Sequence, residues 1–332
     1  MTNCENSGIL IYAQITREKY IHTVFFELVD KAKELSEKLG GVDVNAVIFT
    51  TPGQVFEYKE AFQNRGVNKV FYFEDEAFGN YSTDYFSKHL VDLVGVIKPE
   101  ILLIGATNQG RDLAPRVAAA LGTGLTADCT GLDINEKGQL AATRPTFGGQ
   151  LMATILCKTF PQMATVRPNV FKVYRDDFFV ETEFVACPVN ISYVKNRVEL
   201  LDFKKTVDTV INDLDSAEII VAGGKGLKNE KGFELLNRFA QKIGATVGAT
   251  RGAVELGLAP VSVQIGQTGK TVSPKVYIAC GISGAIQHTV GMTGSEYIIA
   301  INNDEDAPIF DIADTGIVGD VFEILPRFIN ED

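Results

Sequence analysis

Residues 264–288, QIGQTGKTVSPKVYIACGISGAIQH, decide how the chain is read. They fall into a polar, glycine-rich loop (264–270), a short apolar run (276–280, VYIAC) and the segment GISGAIQH (281–288). An apolar run of this length between turn signals reads as a buried strand. Gly281, Ser283 and Gly284 then stand where that strand turns into a helix. Small residues there let backbone N–H groups approach an anion, and the helix N-terminus adds partial positive charge. The segment therefore points to phosphate binding. His288 lies about one turn into the helix, and Thr268 and Lys270 stand in the loop before the strand.

The whole chain sets limits on that reading. Its 332 residues suggest two domains of ordinary size. Hydrophobic residues make up 45% and charged residues 22%, which implies a sizeable core rather than disorder. A net charge of −11 opposes binding to nucleic acid, which needs a concentrated basic face. The five cysteines (Cys4, Cys129, Cys157, Cys187 and Cys280) are scattered, with no C-x-x-C pair. They fit neither a disulfide framework nor a zinc or iron–sulfur pattern, but they do fit a reducing cytosol. With no basic-then-apolar leader and no apolar run of about 18 residues, the expectation is a cytoplasmic protein without membrane insertion.

Upstream, strand and helix patterns alternate. Apolar runs at 9–13, 45–50, 69–73 and 101–104 read as strands. Helical patterns cover 24–39, 54–64 and 82–96, the last stopping before Pro99. Leu28, Ala32, Leu35 and Leu39 in the first of these follow helical spacing. Strands separated by helices imply right-handed βαβ units and a parallel sheet. From about 126 to 194 the sequence is β-rich with Gly and Pro turns, and reads as antiparallel strands added to that sheet. Charged residues at 195–208 suggest a linker. The expected domains are accordingly 1–204 and 205–332.

The second half reads as a fresh α/β unit: strands at 218–222, 245–250, 276–280, 297–301 and 308–312, and a last helix from about 317. Phe233, Leu236, Ala240 and Ile243 share one face of an intervening helix. The expected fold class is α/β, with two domains, each a mainly parallel sheet flanked by helices. In an open parallel sheet, ligands sit beyond the C-terminal strand ends. Those ends here carry GGKG (223–226), Arg251, GISG (281–284) and Asn302. Plain structural readings stand beside these: a turn for either glycine motif, an ion pair for Arg251, and a satisfied structural residue for His288. GGKG also lacks the GxxxxGK[ST] spacing of a P-loop ATPase. No G-x-S-x-G nucleophile elbow and no metal-ligand spacing is found, which points to a cofactor that carries the chemistry itself.

At these residues the sequence resembles a known family. TVGATRGAVELG, QIGQTGKTVSPKVYIACGISGAIQH, IIAINNDEDAPIF and DTGIVGD together resemble the FAD domain of electron transfer flavoprotein alpha subunits, in the family's order and spacing. The likeness continues upstream through RPTFGGQLMATI and QMATVRP and, more loosely, to the N-terminus. It implies that the backbone from Gly281 through Ser283, Gly284 and Ala285 to Ile286 cradles the FAD pyrophosphate, with Ser283 adding its hydroxyl. It implies that Thr268 bonds near flavin N5, that Arg251 lies against the isoalloxazine, and that His288 approaches the ring carbonyl O2. Thr250, Gln264, Gln267, Asn302 and Asp320 match further FAD-contacting positions, Thr250 replacing a Ser of some members.

The resemblance further implies a heterodimer with a beta subunit that holds AMP or, in electron-bifurcating members, a second FAD reduced by NADH. In that family the first domain packs on the beta subunit, and the FAD domain swings on a hinge, here near 205. Single electrons pass through an anionic semiquinone between an acyl-CoA or other flavin dehydrogenase and another acceptor, such as ferredoxin. IGATNQGRDLAPRVAAALGTGLTADCTGLDI resembles the anaerobic, bifurcating members, with Arg111 a candidate to face the partner's flavin or to form a surface salt bridge. Two other readings stand beside this one. An NAD-dependent enzyme on a related α/β fold would need a catalytic Lys or Cys beside the nicotinamide. The third is a nucleotide-sensing module.

Overall fold

In the computed structural model the described residues are 8–146, 151–173, 179–198, 200–202, 214 and 217–330. They form two compact units, the first of 8–146, 152–173, 179–198 and 200–202, the second of Leu151, Leu214 and 217–330. The expected boundary and hinge near 205 lie outside the described residues.

The first unit begins with β1 (Ile9–Ala13), α1 (Val24–Lys38), β2 (Val44–Thr50), α2 (Lys59–Gln63) and β3 (Lys69–Glu74). It continues with α3 (Thr83–Ile97), β4 (Ile101–Gly105), α4 (Asn108–Leu121) and β5 (Leu125–Cys129). Then come β6 (Gly131–Ile134), β7 (Leu140–Thr146), β8 (Leu151–Leu156), β9 (Gln162–Val166) and β10 (Glu183–Ala186). Its main sheet has the order β10-β3-β2-β1-β4-β9-β5, every neighbouring pair parallel. The run ILIYA explains why it is central. Ile9, Ile11 and Ala13 enter one core with Phe25, Leu28 and Leu35 of α1. Leu10 and Tyr12 enter the other, with Leu90 of α3 and Leu113 and Val117 of α4. A strand covered on both faces carries an unbroken apolar run, and each large side chain so buried contributes about 1.5–3 kcal/mol.

The β-rich segment departs from expectation in one respect. Antiparallel pairing is present, between β6 and β7, but β6, β7 and β8 form a sheet of their own. β5, β9 and β10 join the main sheet in parallel instead. Gln162, buried at the start of β9, links the two sheets: its Oε1 accepts from the Leu140 amide at 2.8 Å. Just after β9, the buried Glu27 carboxylate of α1 accepts the amides of Asn169, Val170 and Phe171. Farther on, Asp84 of α3 binds Arg197 through the latter's amide, Nε and Nη2.

The second unit contains β11 (Ile219–Gly223), α5 (Glu230–Ile243), β12 (Thr246–Thr250), α6 (Arg251–Glu255) and β13 (Gln264–Ile265). It ends with β14 (Val276–Cys280), α7 (Ile286–Thr289), β15 (Tyr297–Asn302), β16 (Thr315–Val318) and α8 (Val321–Asn330). The sheet order is β13-β12-β11-β14-β15-β16, all parallel. Counted within the unit this is 3-2-1-4-5-6, the doubly wound order of dinucleotide-binding sheets. Two expected elements are corrected. Residues 308–312 form a 3-10 turn rather than a strand, and the last strand is TGIV at 315–318, where the last helix was expected to begin. Pro308 starts the turn, and the Ile309 amide donates to the Ser283 carbonyl at 3.1 Å. The apolar residues thus wrap over the GISG turn instead of entering the sheet.

Candidate cofactor-binding site

The strand order reverses between β11 and β14, and the crevice at that point is where open α/β sheets take ligands. The two strand ends meet backbone to backbone. The Gly224 amide donates to the Cys280 carbonyl at 3.0 Å, and the Gly226 amide to the Gly281 carbonyl at 3.0 Å. A Cβ on Gly224 would stand 2.1 Å from the Gly281 oxygen, so no other residue fits. Gly284 is equally constrained: its φ is +89°, and a Cβ would lie 2.2 Å from the Ile309 nitrogen.

Beyond these contacts the chain opens. Ser283, Ala285 and Ile286 are exposed, and the amides of Ser283, Gly284 and Ala285 donate to no acceptor among the described residues. Gly281 differs, since its amide is taken by the Ile301 carbonyl at 2.9 Å. Asn302, buried at the end of β15, braces the turn: its Nδ2 donates to the Ile282 carbonyl at 2.9 Å, and its Oδ1 accepts the Asp304 amide at 3.0 Å. A fixed turn with outward amides suits a phosphate or pyrophosphate.

The loop before β14 packs against α7. Gln267 donates its amide to the Gln287 carbonyl at 2.7 Å, and both side chains are exposed. Buried Gln264 donates from Nε2 to the hydroxyl of exposed Thr268 at 3.0 Å. That bond occupies a lone pair of the hydroxyl and leaves its proton to be donated outward. Thr250 caps α6, accepting the Ala253 amide at 3.3 Å. Asp320 caps α8, accepting the Phe322 amide at 2.9 Å, and lies 3.7 Å from Lys228 Nζ.

Two residues expected to face a ring are engaged with the protein. Arg251, exposed at the start of α6, is paired through Nε with Glu255 at 2.8 Å. His288 is 7% exposed, and both of its ring nitrogens are used. Nδ1 faces the Ile265 carbonyl at 3.0 Å and Nε2 the Tyr277 hydroxyl at 3.0 Å. A carbonyl only accepts, so Nδ1 carries the proton and Nε2 accepts from Tyr277. Burial pushes the imidazole pKa down to about 4, against the Ile265 bond that pulls it up. His288 is therefore a neutral anchor in this structure, and a bond from it to a flavin carbonyl requires that one of its two protein bonds be given up.

Sequence reasoning missed two participants. Tyr277 was hidden inside an apolar run and reads as core. Lys225 lies along the start of α6, where a Cβ on Gly252 would meet its Cε at 2.4 Å. Its signal was the lysine of GGKG itself. Among the described residues there is no cluster able to hold a metal ion and no helix long and apolar enough to cross a membrane.

Residues 9–187 match the electron transfer flavoprotein domain family, and residues 213–293 match the electron transfer flavoprotein FAD-binding domain family. An electron transfer flavoprotein subunit alpha of Clostridium acetobutylicum is 45% identical over 99% of this chain and 98% of its own. A FixB protein of Clostridium saccharobutylicum is 46% identical over 99% and 97%. The LctC subunit of a lactate dehydrogenase (NAD(+),ferredoxin) from Acetobacterium woodii is 42% identical over 97% of this chain and 76% of its own.

Proposed function

The chain belongs to the electron transfer flavoprotein alpha-subunit family, and from that premise we propose that it holds one FAD at the switch point of its second sheet. Paired with a beta subunit, it passes electrons singly between a flavin dehydrogenase and a second acceptor. The observation that carries this reading is the turn at 281–286, locked by the Gly224–Gly281 contact and presenting unengaged amides at the same C-terminal sheet edge as the exposed Thr268 and Arg251.

Bound FAD supplies the redox centre, and the residues of the chain bind and tune it. The amides of Ser283, Gly284 and Ala285 hold the pyrophosphate, and the Ser283 hydroxyl adds a donor. Thr268, with its lone pair held by Gln264, donates its proton to the flavin edge at N5. Arg251 supplies a cation on the neighbouring strand end, which favours the ring carrying extra negative charge. Gln267, Asn302 and Asp320 complete the ledge, the last two by fixing backbone. The test is direct: the purified heterodimer shows a flavin spectrum and one FAD per alpha chain at this site. A preparation that is colourless and cannot be reconstituted with FAD overturns the reading, and binding of NAD without flavin favours the dehydrogenase alternative.

A finer reading has one supporting observation. The Acetobacterium woodii relative is named for a reaction with both NAD(+) and ferredoxin, which favours electron bifurcation from NADH with a second FAD in the beta subunit. On this reading residues 1–204 pack on the beta subunit and the FAD unit moves about a hinge near 205. Arg111 is paired with Asp128 at 3.0 Å in this structure, so facing a partner's flavin would mean exchanging that carboxylate. Counting flavins per heterodimer decides the matter: two FAD support bifurcation, and one FAD plus AMP refutes it.

A further inference from the structure

Three bonds tie β13 and the loop after it to α7 and the turn that follows: Gln267 amide to Gln287 carbonyl at 2.7 Å, Val272 amide to Gly291 carbonyl at 2.8 Å, and His288 Nδ1 to Ile265 carbonyl at 3.0 Å. Only the last uses a side chain. That side chain is oriented by Tyr277, whose ring is fully buried in β14 and whose hydroxyl meets Nε2 at 3.0 Å. A neutral imidazole has two tautomers, and the one that leaves Nδ1 without its proton faces a carbonyl with a lone pair. A hydroxyl donating to Nε2 selects the other. The same loop turns back on itself: the Lys270 amide donates to the Gln264 carbonyl at 2.7 Å, so Gln264, Ile265 and Thr268 move as one piece.

We infer that Tyr277 is a positioning residue for the cofactor site: through His288 it holds the Ile265 carbonyl, and with it the Gln264–Thr268 pair, in place at the flavin edge. It touches no cofactor itself. The path runs from the centre of the sheet to the loop: hydrogen bonds join the Tyr277 hydroxyl, the His288 imidazole and the Ile265 carbonyl, the backbone leads from Ile265 to Gln264, and the Gln264 side-chain amide bonds to the Thr268 hydroxyl. Every link except Thr268 is buried. A buried hydrogen-bond chain holds its geometry because each unmade bond leaves a desolvated polar atom. This inference rests on the FAD reading of the site and adds to it a residue that acts at a distance.

Two measurements on the holo heterodimer test it. The first uses wild-type protein labelled with nitrogen-15 at histidine; the chain has only three histidines, so His288 can be resolved. The Nδ1-protonated tautomer is expected, and an Nε2-protonated His288 overturns the inference. The second is a cycle of Tyr277→Phe, Thr268→Ala and the double variant, read by FAD affinity and by the first one-electron potential of the bound flavin. Tyr277→Phe keeps the ring and removes the hydroxyl, and is expected to weaken FAD binding roughly tenfold and to move the potential. In the Thr268→Ala background its effect on the potential should fall to less than half, because the two act through one loop. Equal effects in both backgrounds, or an unchanged potential with FAD retained, overturn the positioning role. If Tyr277→Phe does not fold, the wild-type tautomer decides. Wild-type protein that takes up no flavin overturns the reading of the site instead, and the tautomer still reports on the Tyr277–His288 pair.

Discussion

Acidification should loosen the second unit through His288, by an amount the structure sets. The imidazole titrates at about 4 in the fold, because burial disfavours its charged form, and near 6.5 in the unfolded chain. The unfolded state thus binds more protons between those values, and stability rises with pH there. The contribution is fully present above about pH 6.5 and is lost as pH falls toward 4. Linkage with these two values gives a loss of about 2 kcal/mol between pH 7 and pH 5, and about 3 kcal/mol in the acid limit. Carboxylates elsewhere also titrate, so the quantity to measure is a difference: urea unfolding of wild type and His288→Gln at half-unit steps from pH 7.5 to 4.5. His288→Gln should be the less stable at pH 7, and the gap should close by about 2 kcal/mol at pH 5. Curves that stay parallel through this window refute the buried neutral imidazole.

Other perturbations separate the remaining parts of the site. Arg251→Ala should lower the first one-electron potential of bound FAD by tens of millivolts, since a charge-assisted bond of about 1.5–3 kcal/mol corresponds to roughly 65–130 mV and exposure reduces that; Glu255→Gln, which frees the guanidinium, should raise it, and potentiometry checks both. Gly284→Ala should abolish FAD retention through dialysis, because its Cβ would stand 2.2 Å from the Ile309 nitrogen at a φ of +89°; normal FAD content would refute the cradle. In the first unit, the hydrogen bonds from Arg197, with lesser help from Arg116, hold the Asp84 carboxyl below its ordinary pKa. Asp84→Asn should speed hydrogen exchange at the Arg197 amide, which bonds to Oδ2 at 3.2 Å, and an unchanged rate there would show that the clasp contributes nothing.

Legibility in the sequence followed how local each determinant is. ILIYA and VYIAC announce strands buried on both faces, because apolar runs of that length have no other place in an α/β unit. The α5 face was readable from Phe233, Leu236 and Ala240, all buried as expected. The last strand was not, because TGIV carries a glycine and pairs with β15 only at the sheet's edge, while the more apolar PIFDI beside it turns over the GISG loop. The parallel placement of β9 depends on its neighbours β4 and β5, which are distant in sequence, and on Gln162 meeting Leu140. At the site, glycine positions were legible because backbone approach admits no other residue. An ion pair for Arg251 and a satisfied His288 were among the readings, but their partners were not legible, because Glu255 and Tyr277 carry no mark that separates them from surface and core.

That engagement sorts the two residues by how readily each can turn to a ligand. Arg251 and Glu255 form an exposed i,i+4 pair on α6, whose loss costs well under 1 kcal/mol. His288 would leave the buried Tyr277 hydroxyl or the Ile265 carbonyl unpaired, at a cost of about 1–3 kcal/mol for each. A bound flavin thus recruits Arg251 at little expense, and disturbs His288 only if the new bond exceeds a buried one. The two should therefore separate in experiment. Arg251→Ala should change the potential more than the affinity, since its charge matters most when the ring gains an electron. His288→Gln should change stability and affinity together, since it loosens the loop in every redox state, and should move the potential only as far as it displaces Thr268. If Arg251→Ala instead reduced FAD affinity as strongly as His288→Gln while leaving the potential untouched, the guanidinium would be a binding anchor, and this division between tuning and holding would fail.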